Sequence, residues 1–365
     1  MRCVIAPLLC AGLLLGPLAG QAADEPLRSA VSTAWGAPFA QLRDGQSPEG
    51  LNIELIQLIA QQLRRKPVYV TLPRARLDAA AESGEIDLRC HVNAEWVRQP
   101  GSYEWSLPLW VLPEVLIGAV DTPALKRLGD LRLDHTVGTV LHYRYPVLDA
   151  QFSPGTWRRD DAPAVDRMLG KLALGRTQYA ITTLFELNAF VFENPTRPLS
   201  EWRLSLGHVP YQCAAPKAGR LKGADLQAAL QALREQGLLD ALLRRHGLPT
   251  VAVVAAAGSE LPALDREQLE SLYLGRLRAL EDGRVPQLMA LSDSSLTAFS
   301  ELVLKRSASQ LRAEWSRATF SGSGRKPRLL DNAATLKAAL RQKPLGIGVL
   351  PLHEVDAGLR ILYLP

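Results

Sequence analysis

From Leu27 onward the chain alternates short apolar runs with amphipathic ones, and no other feature limits its possible folds as much. "LRSAVST" (Leu27 to Thr33) has the composition of a strand. "GLNIELIQLIAQQLRRK" sets Leu51, Leu55, Leu58, Ile59 and Leu63 near one face of a helix. "PVYVTL" predicts a second strand, "RLDAAAESG" a short helix stopped by Gly84, "EIDLRCHV" a third strand and "LPEVLIGAV" a fourth. Such alternation folds into an open α/β sheet. Ligands of these sheets sit at the carboxyl ends of the strands, where loops and helix N-termini converge.

The segment before Leu27 has another character. Arg2 gives a positive start, Val4 to Leu18 is apolar, and Gly20-Gln21-Ala22 ends in small residues before Asp24 and Glu25. This predicts a cleaved signal peptide over residues 1–22 and a periplasmic mature protein. A membrane span needs about 18 or more uncharged residues, and this stretch falls short. Leu9 stands where a lipoprotein would carry a small residue before its cysteine. Cleavage removes Cys3 and Cys10 and leaves Cys90 and Cys213, a pair that suits either a disulfide or two small buried apolar side chains. The six histidines are scattered without metal-ligand spacing, so neither a metal nor a cofactor is expected. With 42 basic and 37 acidic residues spread along the chain, and no basic run, nucleic-acid binding has no support. The 365 residues, 47% of them hydrophobic, are enough for two or three units with cores.

From about Leu27 to Gly247, the order of local words resembles extracellular solute-binding protein family 3, the two-lobed periplasmic receptors for amino acids and related small molecules. "WGAPFAQLRDGQSPEGLNIELIQLIAQQL" is similar to the family's opening, and "ESGEIDLRCHVNAEWVRQPGSYEWSLPLW" to its strand, Thr-x-x-Arg and aromatic-Ser-x-Pro segment. "LGDLRLDHTVGTVLHY" and "LALGRTQYAITTLFEL" look like parts of the second lobe, and "ADLQAALQALREQGLLDALLRRHG" like the closing helices. The resemblance implies a periplasmic binding protein type 2 fold over residues 24–247, with the second lobe at about 122–207.

It also implies roles. Arg98 falls where the family's arginine clamps a ligand carboxylate, a task suited to a planar five-donor fork. Trp35 and Phe39 would form an aromatic wall. Two positions depart from the family. Thr183 stands where amino-acid receptors usually carry the acid that pairs with the ligand ammonium, and Glu95 replaces a threonine. Both put an ordinary α-amino acid in doubt and leave organic acids, modified amino acids and other small polar solutes open. The family's returning strand, here "HVPYQCAAP", lies beside the third strand, so a Cys90–Cys213 bridge is expected.

After Gly247 the short "GLPT" leads into a new α/β unit, residues 251–365. Its brevity predicts a tail packed against the first unit. "LDREQLESLYLGR", "SSLTAFSELVL", "WSRATFSGSGRKP" and "PLGIGVLPL" resemble one lobe of the phosphate-type periplasmic binding proteins. Ser294, Ser295 and Thr297 at a helix start are candidate anion ligands. Plain N-capping by Ser292, Asp293 or Ser294 accounts for the same residues, and Leu296 stands where the phosphate-type proteins have glycine.

The leading expectation is a non-catalytic, monomeric receptor that closes on a small solute and serves a transporter permease or a membrane sensor. A dehydratase-like enzyme would have Glu95 or Glu186 as its acid or base. A scaffold with degenerate clefts is the third class, favoured by Thr183 and opposed by Arg98 and the aromatics.

Overall fold

A computed structural model describes residues 25–43, 45–152, 157–320 and 326–365. The proposed signal peptide lies outside them. Among the described residues, no helix is long and apolar enough to cross a membrane.

The first lobe opens with β1 (Leu27–Ser32), α1 (Leu51–Gln62), β2 (Pro67–Leu72), α2 (Arg74–Glu82) and β3 (Arg89–Val92). β1 and β2 are parallel, and β1 reaches β3 through a Ser29–Leu88 bridge. In α1 the 3.6-residue period puts Leu55, Ile56 and Ile59 at 0% exposure. Each such side chain contributes roughly 1.5–3 kcal/mol of burial free energy. The third strand is shorter than its apolar run suggests: the Asp87 and Leu88 N–H groups both turn to the Arg28 carbonyl, and the Asp87 side chain is drawn to the same segment. The buried Asp87 carboxylate accepts from Arg28 Nε and from the backbone N–H groups of Arg28 and Arg220. A short β4 (Tyr103–Trp105) follows, which the sequence reading did not separate from its surroundings.

Two long strands join the lobes. β5 (Trp110–Gly118) leads into the second lobe, which holds β6 (Thr136–Val140), β7 (Arg158–Ala162), α3 (Val165–Ala173), β8 (Tyr179–Thr183) and α4 (Leu184–Glu193). β9 (Arg203–Pro216) returns antiparallel to β5 and pairs with β3 and β4. The resulting sheet runs β3-β9-β5-β8-β6-β7. α5 (Gly223–Glu235) and α6 (Leu238–Arg245) then cover the first lobe beside α1. Cys90 and Cys213 face each other across the β3–β9 ladder, and their sulfurs are bonded.

The remaining chain forms β10 (Val251–Ala256), α7 (Arg266–Tyr273), β11 (Gln287–Leu291), α8 (Ser294–Leu302), α9 (Ala308–Phe320), β12 (Arg328–Leu330), α10 (Ala333–Arg341), β13 (Gly346–Pro351) and β14 (Leu359–Tyr363). Its sheet runs β12-β11-β13-β10-β14, with β10 antiparallel to both neighbours. Leu352 and Val355, in the turn after β13, join Leu336 and Leu340 of α10 in one apolar cluster with Leu230, Leu233 and Leu242 of the first lobe. His208 of β9 also meets the Asp356 carbonyl at 3.1 Å. The tail therefore shares a core with the first lobe and touches a lobe-connecting strand.

Candidate functional site

The two lobes meet along a cleft built from the turn after β1, the end of β3, and the loop between β6 and β7. Arg144 of that loop donates to the Val97 carbonyl of the first lobe at 3.0 Å. Val165 N–H at the start of α3 donates to the Ala34 carbonyl at 3.2 Å, and Gln41 Nε2 donates to Glu193 Oε1 at 2.7 Å. Between these contacts lie two cavities of about 30 Å³ each, both lined by His91, Trp96, Tyr143 and Arg144. That volume holds a water or one small polar group. A larger solute would hold the lobes further apart or displace Trp96 or Arg144.

His91 is the hub of the first-lobe wall. The β3–β9 register shifts between Cys90 and Val92, leaving His91 at a bulge with φ of 53°. A bulge of this kind re-aims a side chain. The imidazole stacks on Tyr211, centroids 5.4 Å apart, and packs against Phe39 at 4.1 Å and Trp35 at 5.4 Å. Burial, aided by the charge of Arg89, lowers its pKa to about 3, so the ring is neutral.

Beyond His91, the first cavity is walled by Trp35, Leu77, Arg74 and Arg89. Arg89 Nη1 bonds to Asp78 at 2.7 Å and to the Tyr103 hydroxyl at 2.8 Å, while Arg74 Nη2 donates to the Trp96 carbonyl. Burial pushes Asp78 up, but hydrogen bonds and charges from Arg89 and Arg74 hold it below the usual carboxylate range. These two guanidinium groups are thus paired within the wall.

The second cavity is acidic. Thr183 ends β8 and caps α4; its hydroxyl accepts from Glu186 N–H at 3.2 Å. The Glu186 carboxylate folds back and accepts from Thr182 Oγ1, Thr183 Oγ1 and Thr183 N–H at 3.1, 2.9 and 3.2 Å. Burial raises its pKa against those bonds. Directly across the ladder from Thr183 stands Glu114 of β5. Burial, then the charges of Glu186 and Glu95, push Glu114 up to about 7.

The residues singled out from sequence fall into different places. Trp35 and Thr183 line the cleft. Phe39 lines neither cavity; at 0% exposure it backs His91. Arg98 is exposed and lines neither cavity. The cause is local: Asn93 caps a 3₁₀ turn over Ala94–Trp96, which sends Trp96 to the cleft and Val97 inward. The next side chain is left outside. Glu95 is exposed on the same turn and acts on Glu114 only through its charge. Arg144, His91 and Glu114 were missed; aromatic residues flanking Arg144 in "HYRYP" were the one available signal.

In the tail, Asp293 occupies the start of α8. Its Oδ1 accepts from Ser295 N–H at 2.8 Å and from Ser295 Oγ at 2.5 Å. An anion at Ser294, Ser295 or Thr297 would meet that carboxylate, so the capping account fits this helix start. Asp293→Ala is expected to lower stability by about 1 kcal/mol, read from the urea midpoint. Among the described residues, no group of three or more His, Cys, Asp or Glu is placed to hold a metal ion.

A two-lobed α/β molecule with paired connecting strands and a polar, aromatic interlobe cleft is a ligand-binding protein of the periplasmic type. The model of the bacterial extracellular solute-binding proteins, family 3, matches residues 28–249, and the chain belongs to that family. Membership implies a small-molecule ligand and an extracellular or periplasmic location. Residues 250–365 lie beyond the match. Similar solved structures include an ancestral arginine-binding protein bound to glutamine, at 20% identity and TM-score 0.51, covering 60% of this chain and 96% of that one. An amino acid ABC transporter substrate-binding protein from Streptococcus pneumoniae bound to L-arginine gives 20%, 0.51, 60% and 94%. A histidine kinase sensor domain with similarity to periplasmic binding proteins gives 19%, 0.52, 61% and 96%. These likenesses concern the fold. A search of curated proteins returns no matching sequence.

Proposed function

We propose that the protein captures a small polar or carboxylate-bearing solute in the interlobe cleft, in the periplasm, and that lobe closure is its output. The closed form would engage either an ABC-type permease or a membrane sensor. Arg144 carries this reading: it stands on the second lobe, faces both cavities and reaches the first lobe at Val97. A ligand carboxylate or other anionic group would take the place of that carbonyl on the guanidinium. Only a ligand touching both lobes favours the shut state. A thermal-shift screen of amino acids, organic acids and amines tests this, because a ligand bound only to the native state raises the melting temperature. Arg144→Ala is expected to weaken the bound solute at least about tenfold, a loss of roughly 1.4 kcal/mol. Arg98→Ala should leave its affinity unchanged. A response lost in the Arg98 variant and kept in the Arg144 variant would reverse the assignment.

A scaffold role is favoured by one observation: cavities of about 30 Å³ admit no whole amino acid without rearrangement. Absence of a shift with any compound would support it. A dehydratase-like reaction would draw on Glu114 and Glu186, and turnover of a hydroxylated acid would reveal it.

A further inference from the structure

Glu114 lies in the middle of β5, in a strand that is buried along its whole length, and is itself 5% exposed. Its carboxylate lines the second cavity and has no hydrogen-bond or ion-pair partner among the described residues. A carboxyl buried in this way costs stability, so packing gives no reason for it.

The charges that act on Glu114 are both acidic, and the one cationic side chain lining its cavity, Arg144, is engaged elsewhere. From α4 comes the Glu186 carboxylate, and from the turn after β3 the charge of Glu95. From β3 comes the neutral imidazole of His91. The loop after β6 supplies Tyr143 and Tyr145, whose phenols burial keeps protonated, and Arg144, whose guanidinium is turned to Val97 O. On the neighbouring strand β9, His208 turns to the Asp356 carbonyl of the tail. Two carboxyls and the rings of His91, Trp96 and Tyr143 therefore face one small cavity, with Arg144 at its wall bonded to the Val97 carbonyl.

We propose that this cavity receives the ammonium or guanidinium head of an organic cation, held between Glu114 and Glu186 against the aromatic rings. The proposal rests on the solute-binding reading and names the solute's charged group. The volume, about 30 Å³, suits one such head. Aromatic faces attract organic cations. A hard metal ion would instead need about six oxygen ligands. The acidic side comes from the lobe-connecting strand and the first turn of α4, instead of from the strand end at Thr183. Because a bound cation favours ionised carboxyls, capture releases protons near neutral pH.

Isothermal titration calorimetry on the purified protein at pH 7 tests the site. The cationic probes are agmatine, putrescine, choline and L-arginine, and the anionic probes are glutarate and phosphate. At least one cationic probe is expected to bind. Its binding should release roughly half a proton, judged by comparing two buffers of different ionisation enthalpy, since Glu114 titrates at about 7. Glu114→Gln, nearly isosteric, should weaken that probe at least about tenfold and remove most of the proton release. Binding of glutarate or phosphate with no cationic probe would sink the cation site and leave the solute-binding reading standing. Unchanged cation affinity in Glu114→Gln would sink the site too. Silence from all six probes would overturn the site and the solute-binding reading together.

Discussion

Replacing Cys90 and Cys213 together by alanine is expected to lower the unfolding free energy by about 5 kcal/mol. The bond closes a loop of sequence separation 123, and in the chain-entropy account a longer loop takes more freedom from the unfolded chain. Both cysteines are at 0% exposure, so the variant also loses some packing. The bond joins β3 to β9 within one lobe and does not cross the cleft. It also flanks the bulge that presents His91, so a freed β3 would loosen the ring cluster around Trp35 and Tyr211. Urea titrations of wild type and variant, compared at equal slope, give the difference. A shift below about 1 kcal/mol would show that the unfolded chain is already constrained there.

Glu114→Gln is expected to raise stability by no more than about 1 kcal/mol at pH 5 and by about 3 kcal/mol at pH 8. The sign follows from proton binding. Glu114 titrates at about 7 in the folded chain and near 4.5 when unfolded. Between those values the folded state holds the proton and the unfolded state has released it, so wild-type stability falls as pH rises through the window. Above about 7 the penalty is complete. The magnitude is the 2.5-unit difference at about 1.4 kcal/mol per unit, rounded down for relaxation around the charge. Glu186 is raised as well and contributes in the same direction, so the two carboxyls titrate as a pair. Urea midpoints of both proteins at pH 5, 6, 7 and 8 separate Glu114 from that background. Parallel pH profiles would mean that Glu114 is reached by water and carries no burial penalty.

Elements governed by local pattern were legible. The 3.6-residue spacing of Leu51, Leu55 and Ile59 placed α1, and the apolar run at "LPEVLIGAV" placed β5. In α7 the Asp265 cap and Gln268 sit at capping-box spacing, a local signal of the same kind. Alternation set the α/β class, and the word order from Leu27 to Gly247 set the family. The short linker implied a packed tail, and the shared cluster around Leu352 and Val355 agrees with it.

The cleft was legible only in part, because its chemistry depends on direction and on distant partners. Counting to Thr183 found the strand end. It could not reveal that a carboxylate three residues on folds back to the same hydroxyl. The position of Arg98 is legible in the sequence, but the 3₁₀ turn that points it to solvent is not. Glu114 read as one polar interruption of an apolar strand. Its meaning came from register, which sets it opposite Thr183 and beside Glu186.

The sequence by itself determined the element types, the α/β class and the family, since periodicity and turn chemistry act over a few residues. Only the tertiary structure decided which guanidinium spans the lobes, which carboxyl is buried without a partner, and that His91 is turned inward at a bulge. Burial and electrostatic coupling depend on what surrounds a side chain in space, and here those surroundings come from segments separated by tens of residues.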